Sequence, residues 1–338
     1  MNDAESNRES GRAGWGLFAA LMGALAAIFA VAARMYLQRY PLPMAAVAGI
    51  YICFVLSLGL ALAPGLRGSR EALQRWFQSR RKAPALVLIW GAPYLIYAAG
   101  TGDFRWSALA TLVAVGAAMV SIYAWLPVRE EAEFGWQDAV VAGVLIAVVL
   151  SQGLRGIWNV PQNLDFVGRL YLIGVAGWCW TLVRVVPGLG YELTLRARTL
   201  KAAGLNFVWF ALLALPAGLT LQFIAWNPRW RGWPQLGLDY LQIFLFIALL
   251  EELFFRGFLQ TLLAKTLRSE YGAQALVACL FGLFHILHAP FPNWRYVALA
   301  TVAGWFYGSA FRQGGGVMAA ALTHAAVDTV WRTFFTRG

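Results

Sequence analysis

The hydropathy of this chain decides what it can fold into. About eleven apolar runs follow one another, at residues 15–33, 44–63, 83–99, 106–126, 139–150, 170–186, 205–225, 240–263, 273–287, 296–311 and 317–331. A bilayer core asks for ~20 consecutive apolar residues per helix. Inside it every backbone polar group must be satisfied by the protein itself, so only helices and closed barrels cross. The strict alternation of barrel strands is absent. The runs therefore predict an all-α polytopic transmembrane bundle of about 11 spans. Composition agrees, with 60% hydrophobic and 13% charged residues, where a soluble domain carries roughly half and a quarter. The run at 15–33 lacks a small-residue cleavage site leading into a soluble chain, so it reads as a first span rather than a signal peptide.

The charges are arranged for topology. The connection at 67–82 holds Arg67, Arg70, Arg75, Arg80, Arg81 and Lys82 against the single acid Glu71. Such a loop is expected on the cytoplasmic side, which puts the N-terminus inside as well. Arg196, Arg198 and Lys201, then Lys265 and Arg268, then Arg312 fall on the same side if alternate spans end there. The acidic stretch 129–138 would also be inside, but acids carry little topological weight. Trp226, Arg229, Trp230, Arg231 and Trp233 read as an interfacial belt on the outer side. The net charge of +11 is thus explained by orientation, and no nucleic-acid partner is expected. Cys53, Cys179 and Cys279 sit in separate apolar runs with no CxxC spacing. They read as small core residues.

Against this background, one stretch stands out. Leu249-Leu-Glu-Glu-Leu-Phe-Phe-Arg-Gly257 places two acids and an arginine inside the apolar run 240–263. An ionisable group at bilayer depth costs at least ~2.5–3.5 kcal/mol, so it stays only where it is paired, faces a polar cavity or performs chemistry. Glu252 and Arg256 are four apart, one above the other on a helix, with the acid in the better N-terminal position for an ion pair. Glu251 points ~100° away from that pair, so a different task is expected of it.

The three histidines follow on later spans. His285 ends Phe281-Gly-Leu-Phe-His285, and His288 comes just before the Ala289-Pro290 break. His288 reads as an interfacial or core histidine. His324 and Asp328 share a helix face on the last run, among alanines that let helices approach closely. Three spans thus bring carboxylate and imidazole groups into the membrane. Such a set suits activation of a water by a carboxylate base, with an imidazole holding the water and donors for an oxyanion. It equally resembles a zinc site of one Glu and two His. HExxH and GxSxG are both absent. Residues 1–200 hold few intramembrane ionisable groups, and their role is not assigned. Residues 201–338 hold the candidate chemistry.

The ordered set Glu251-Glu252-x-x-x-Arg256, Phe281-x-x-x-His285 and His324-x-x-x-Asp328 resembles the CPBP family of CAAX proteases and bacteriocin-processing enzymes. The resemblance covers roughly residues 205–335. It implies an intramembrane endopeptidase of the glutamate type. Glu251 would be the general base, His285 would position the water, and His324 with Asp328 would stabilise the oxyanion. Glu252 and Arg256 would hold the site together. The family usually has Asn where this chain has Asp328. An ionised acid would repel an oxyanion, so Asp328 is expected either to be protonated or, preferably, to orient His324. No cofactor is implied, with a zinc-dependent version as the alternative. A non-catalytic membrane scaffold or immunity partner that keeps the fold is the reading from a different class. The expected partners are the lipid bilayer and a membrane-anchored or lipidated protein or peptide substrate. The expected location is a bacterial inner membrane.

Overall fold

The computed structural model describes residues 2–38, 41–77, 79–126, 128, 133–160 and 164–337. Part of the acidic stretch 129–138, residues 129–132, lies outside them. The chain is helical almost throughout. Among the described residues the only sheet is a two-stranded antiparallel ladder. Among the described residues, six segments are long and apolar enough to cross a membrane: Gly14–Arg34, Met44–Gly65, Arg80–Thr101, Trp106–Trp125, Asp165–Val183 and Ala197–Thr220. Trp136–Leu150 and Glu270–Leu283 are shorter apolar helices. This is a helical membrane protein. The helices beyond Thr220 fall outside the set of six because they are too short, interrupted or less apolar.

The chain divides into two compact units, residues 1–131 with 135–185, and residues 132–134 with 186–338. The first contains α1 (Asn2–Leu37), α2 (Met44–Leu62), α3 (Arg67–Trp76), α4 (Ala85–Thr101), α5 (Trp106–Trp125), α6 (Trp136–Leu150) and α7 (Asp165–Trp178). Helices α2 and α4 touch at Gly49 and Gly100, where a Cβ on Gly49 would stand 2.7 Å from the Gly100 Cα. Backbones meet this closely only where side chains are missing. The connection 67–82, read from sequence as a loop, contains a helix instead. Arg67 Nε donates to Glu71 at 2.8 Å one turn on, and the Ser69 hydroxyl donates to the Leu66 carbonyl at 3.1 Å. These are local bonds that favour helix in a segment too short and too charged to cross.

A buried ion pair also lies in the first unit. Asp138, in the first turn of α6, accepts from Arg184 Nε at 3.3 Å, and both side chains are fully buried. The Tyr123 hydroxyl donates to the same carboxylate at 2.8 Å, and the Gly135 amide donates at 2.9 Å. Arg184 follows the wide turn Cys179–Val183 that ends α7.

The second unit contains α8 (Ala197–Thr220), β1 (Ile224–Trp226), α9 (Trp233–Ile243), α10 (Leu249–Glu252), α11 (Thr261–Thr266), α12 (Glu270–Leu283), α13 (Trp294–Gly314), α14 (Val317–Phe334) and β2 (Phe335–Arg337). Strands β1 and β2 pair with Ala225 opposite Thr336. Helix α8 packs on α13 and α14 through Ala202, Ala310 and Ala319, the small residues expected where membrane helices cross closely.

Candidate active site

The site is built on one helical rod. α9, α10 and α11 run on from one another through two π-type stretches, Phe244–Ala248 and Leu253–Gln260. A π turn closes i→i+5 bonds, so it widens the helix and rotates the side chains beyond it; such turns are frequent at functional sites. Glu251 and Glu252 lie on the short α segment between the two wide stretches. Every residue of Leu253–Gln260 is buried. A helix covered on all sides is the centre of its bundle.

Glu252 is the meeting point of the polar groups. Its Oε1 accepts from Arg256 Nη1 at 3.2 Å and from His324 Nδ1 at 2.8 Å. Its Oε2 is 3.1 Å from the same Arg256 nitrogen, and both charged side chains are fully buried. A carboxylate can only accept, so Nδ1 of His324 carries the proton. Arg256 Nη2 donates onward to the Gly304 carbonyl at 2.8 Å. Gly304 leaves room for this contact, since a Cβ there would stand 3.2 Å from Arg256 Nη2 and 3.0 Å from the Ala278 Cα. Aromatic rings close the network. Phe281 has the Arg256 guanidinium 4.8 Å from its centroid. Tyr307 lies face to face with the His324 ring, centroids 4.5 Å apart and planes 13° apart.

His285 comes from the turn after α12. Its Nδ1 is 2.8 Å from the Phe281 carbonyl four residues earlier. A carbonyl accepts only, so Nδ1 donates, and Nε2 of the neutral ring is left with a lone pair. The turn is held by Asn293, whose side-chain Nδ2 donates to the Ala289 carbonyl at 3.2 Å and whose side-chain oxygen caps α13 by accepting from the Tyr296 amide at 3.0 Å. Tyr296 packs against both histidines, 4.6 Å from His285 and 4.9 Å from His288. Gly282 allows the α12–α13 approach just ahead of His285: any Cβ there would collide with Thr301.

The structure draws the sequence candidates from the central rod, from α14 and from the turn after α12. Glu251 and Asp328 are both within electrostatic reach of His324, as is His285. Glu251 is half-buried, and the Asp328 side chain is 25% exposed, so these two lie on the more open side of the buried Glu252–Arg256 pair. One relation differs from the sequence expectation, in which Asp328 orients His324. The short bond to His324 comes from Glu252, and the Asp328 oxygen stands 3.8 Å from Nε2. Asp328 is on the same helix as His324 and half a ring away. Glu252 faces it across the bundle and reaches Nδ1 directly.

Sequence reading missed Tyr307, Tyr296, Asn293 and Gly304. Only Asn293 had a local signal, an Asn just before a helical run. The others matter through contacts between helices. Among the described residues no three His, Cys, Asp or Glu side chains converge in a geometry that would hold a metal ion.

Fold and site together define a membrane-embedded helical protein with a buried carboxylate–imidazole–guanidinium centre. Residues 233–330 match the family model described as type II CAAX prenyl endopeptidase Rce1-like. The matched segment spans Glu251, Glu252, Arg256, His285, His324 and Asp328. The match covers less than a third of the chain, and over that segment the chain is similar to the CAAX proteases, which are hydrolases of peptide bonds. No curated protein and no solved structure matches the chain.

Proposed function

We propose that this protein is an intramembrane endopeptidase of the glutamate type, with residues 201–338 as its protease core. The observation that carries the reading is the fully buried Glu252, shared between Arg256 and His324 beside a second, more open carboxylate. Oε1 of Glu252 is committed to Arg256 and His324, so Glu252 serves to fix His324. Glu251 is then the base. It takes a proton from a water whose oxygen attacks the scissile carbonyl carbon, and His285 Nε2 orients that water by accepting its other hydrogen. The negative charge that develops on the carbonyl oxygen is met from His324. Because Nδ1 already donates to Glu252, Nε2 presents a proton to the oxyanion only in the imidazolium form, which the neighbouring carboxylates favour. Asp328 takes the neighbouring position on the same face. As the tetrahedral intermediate collapses, the proton on Glu251 passes to the leaving amine nitrogen. A positioned general base contributes typically ~10²–10⁴-fold.

The substrate in this reading is a membrane-anchored or lipidated protein or peptide, and the enzyme is a multi-pass protein of a bacterial inner membrane with its N-terminus cytoplasmic. The test is cleavage of a panel of prenylated, leader and membrane-tail peptides by the full chain in liposomes. Wild type is expected to cut at least one class, and Glu251→Gln and His285→Ala to abolish cutting while still inserting. Cleavage retained in Glu251→Gln would sink the glutamate mechanism. Inactivity of the wild type towards every class would favour a scaffold that keeps the fold. Loss of activity on chelation, with zinc found in the purified protein, would replace the mechanism by a metal-dependent one.

A further inference from the structure

The first unit holds a cleft that the proteolytic reading does not use. It has a volume of about 290 Å³ and lies where α3, the start of α4 and the end of α7 meet. Phe77, Leu182, Val183 and Val185 form its apolar wall, and Gln74 and Arg80 its polar rim. The size is near the lower edge of the ~300–1,000 Å³ of small-molecule sites. That is room for a polar headgroup and the first carbons of a chain, not for a whole lipid. The floor is fixed in place: Gln74 Nε2 donates to the Thr181 carbonyl at 3.0 Å, tying α3 to the end of α7. Val185 takes φ of 51°, a left-handed conformation that a β-branched residue adopts only under constraint, and its side chain is 50% exposed on the rim.

The charge around the cleft has one sign. The turn Arg80–Lys82 is three consecutive cations, all exposed, and Arg67, Arg70 and Arg75 lie on α3. The one acid of this segment, Glu71, is held by Arg67 at 2.8 Å. On the α7 side, Arg184 is committed to Asp138 in the interior, so it adds nothing to the surface field. Trp76 is 47% exposed, with the Lys82 ammonium 5.1 Å from its ring. An exposed tryptophan under a cation, at the junction of an apolar helix end and a basic segment, is the chemistry of a membrane interface. Basic residues clustered there attract anionic headgroups.

We propose that this cleft binds the headgroup of an anionic phospholipid. The phosphate sits by Arg80, with Arg81 and Lys82 adding charge, and the first acyl carbons lie against Phe77, Leu182 and Val183. The occupant is a lipid rather than free phosphate because the wall opposite the cations is apolar.

The test uses the purified full chain exchanged into POPC vesicles containing a minority of POPG, then extracted gently and weighed by native mass spectrometry. POPG is expected to stay bound in preference to POPC. Arg80→Gln/Arg81→Gln/Lys82→Gln should weaken its retention by about two orders of magnitude, given the strength of interfacial basic residues. Val185→Trp fills the cleft from its exposed rim without changing charge or disturbing the packed core, and should also release the lipid. Wild-type elution on size exclusion checks that both variants fold. Equal retention of POPC, POPG retained by the triple variant, or POPG retained by Val185→Trp would each overturn the site. Displacement of POPG by inorganic phosphate would overturn the lipid as its occupant.

Discussion

Among the described residues, each unit of this protein buries one carboxylate–arginine pair, and the two are put together differently. In the first, Asp138 receives Arg184, the Tyr123 hydroxyl and the Gly135 amide. All of these donors are fixed in place: a guanidinium, a phenol and a backbone amide. In the second, Glu252 receives Arg256 and an imidazole, with Glu251 next to it in the chain. The same acid–guanidinium unit therefore closes one network and leaves the other open. Saturation by fixed donors makes a staple that holds helix ends together. Linking the pair to histidine leaves a second ring nitrogen, Nε2, 3.8 Å from the partly exposed Asp328 carboxylate, where a proton can be given or received. A buried ion pair alone is weak evidence of function; the imidazole is what separates the two.

The comparison can be broken at four points. The largest effect is expected from Glu251→Gln, which should lower the cleavage rate by ~10²–10⁴-fold and leave the unfolding midpoint in detergent unchanged. Asp138→Ala should do the reverse. It strands Arg184 without its partner carboxylate in the interior, so stability should fall by ~3–5 kcal/mol, while turnover per folded molecule stays at wild-type level. If Asp138→Ala instead lowered turnover of the folded fraction, the first pair would not be a mere staple. Next comes Tyr307, which holds the plane of His324. Tyr307→Leu should remove a ring contact worth ~0.5–1.5 kcal/mol and reduce kcat by roughly tenfold with KM little changed. Tyr307→Phe keeps the stack and should retain most of the rate; equal loss in both variants would assign the role to the hydroxyl. The smallest effect is expected from His288→Ala. His288 stacks on His285 at 5.5 Å but is exposed, so cleavage should change less than about twofold. Loss as large as that of His285→Ala would move His288 into the site.

What could be read in advance follows from separation along the chain. Glu252 and Arg256, and Phe281 and His285, are each four apart, and helical spacing brings such pairs together whatever surrounds them. The apolar run 240–263 was legible as helix. Its two wide turns were not, because nothing in its composition distinguishes a π turn from an α turn in a buried rod. The helix α3 was hidden by its charges, which suggest a loop when only apolar runs are sought. Asp138 and Arg184 are 46 residues apart, and Glu252 and His324 are 72 apart. For such pairs the sequence offers the residue types and no register.

By itself, then, the sequence determined the solvent this chain must live in, the helical state of its apolar runs, and the identity of the few ionisable groups placed among them. Those are local consequences of hydropathy and of the 3.6-residue turn, and they hold in any arrangement of the helices. Only the tertiary structure decided that Glu252 rather than Asp328 holds His324, that Tyr307 covers that ring, and that Asp138 closes on Arg184. A hydrogen bond across a bundle depends on the angle and rotation of two helices. These are set by close approaches such as that at Gly282, where a Cβ would collide, and that at Gly304, where it would be tightly crowded. That packing is a property of the whole interface, and no single stretch of the chain encodes it.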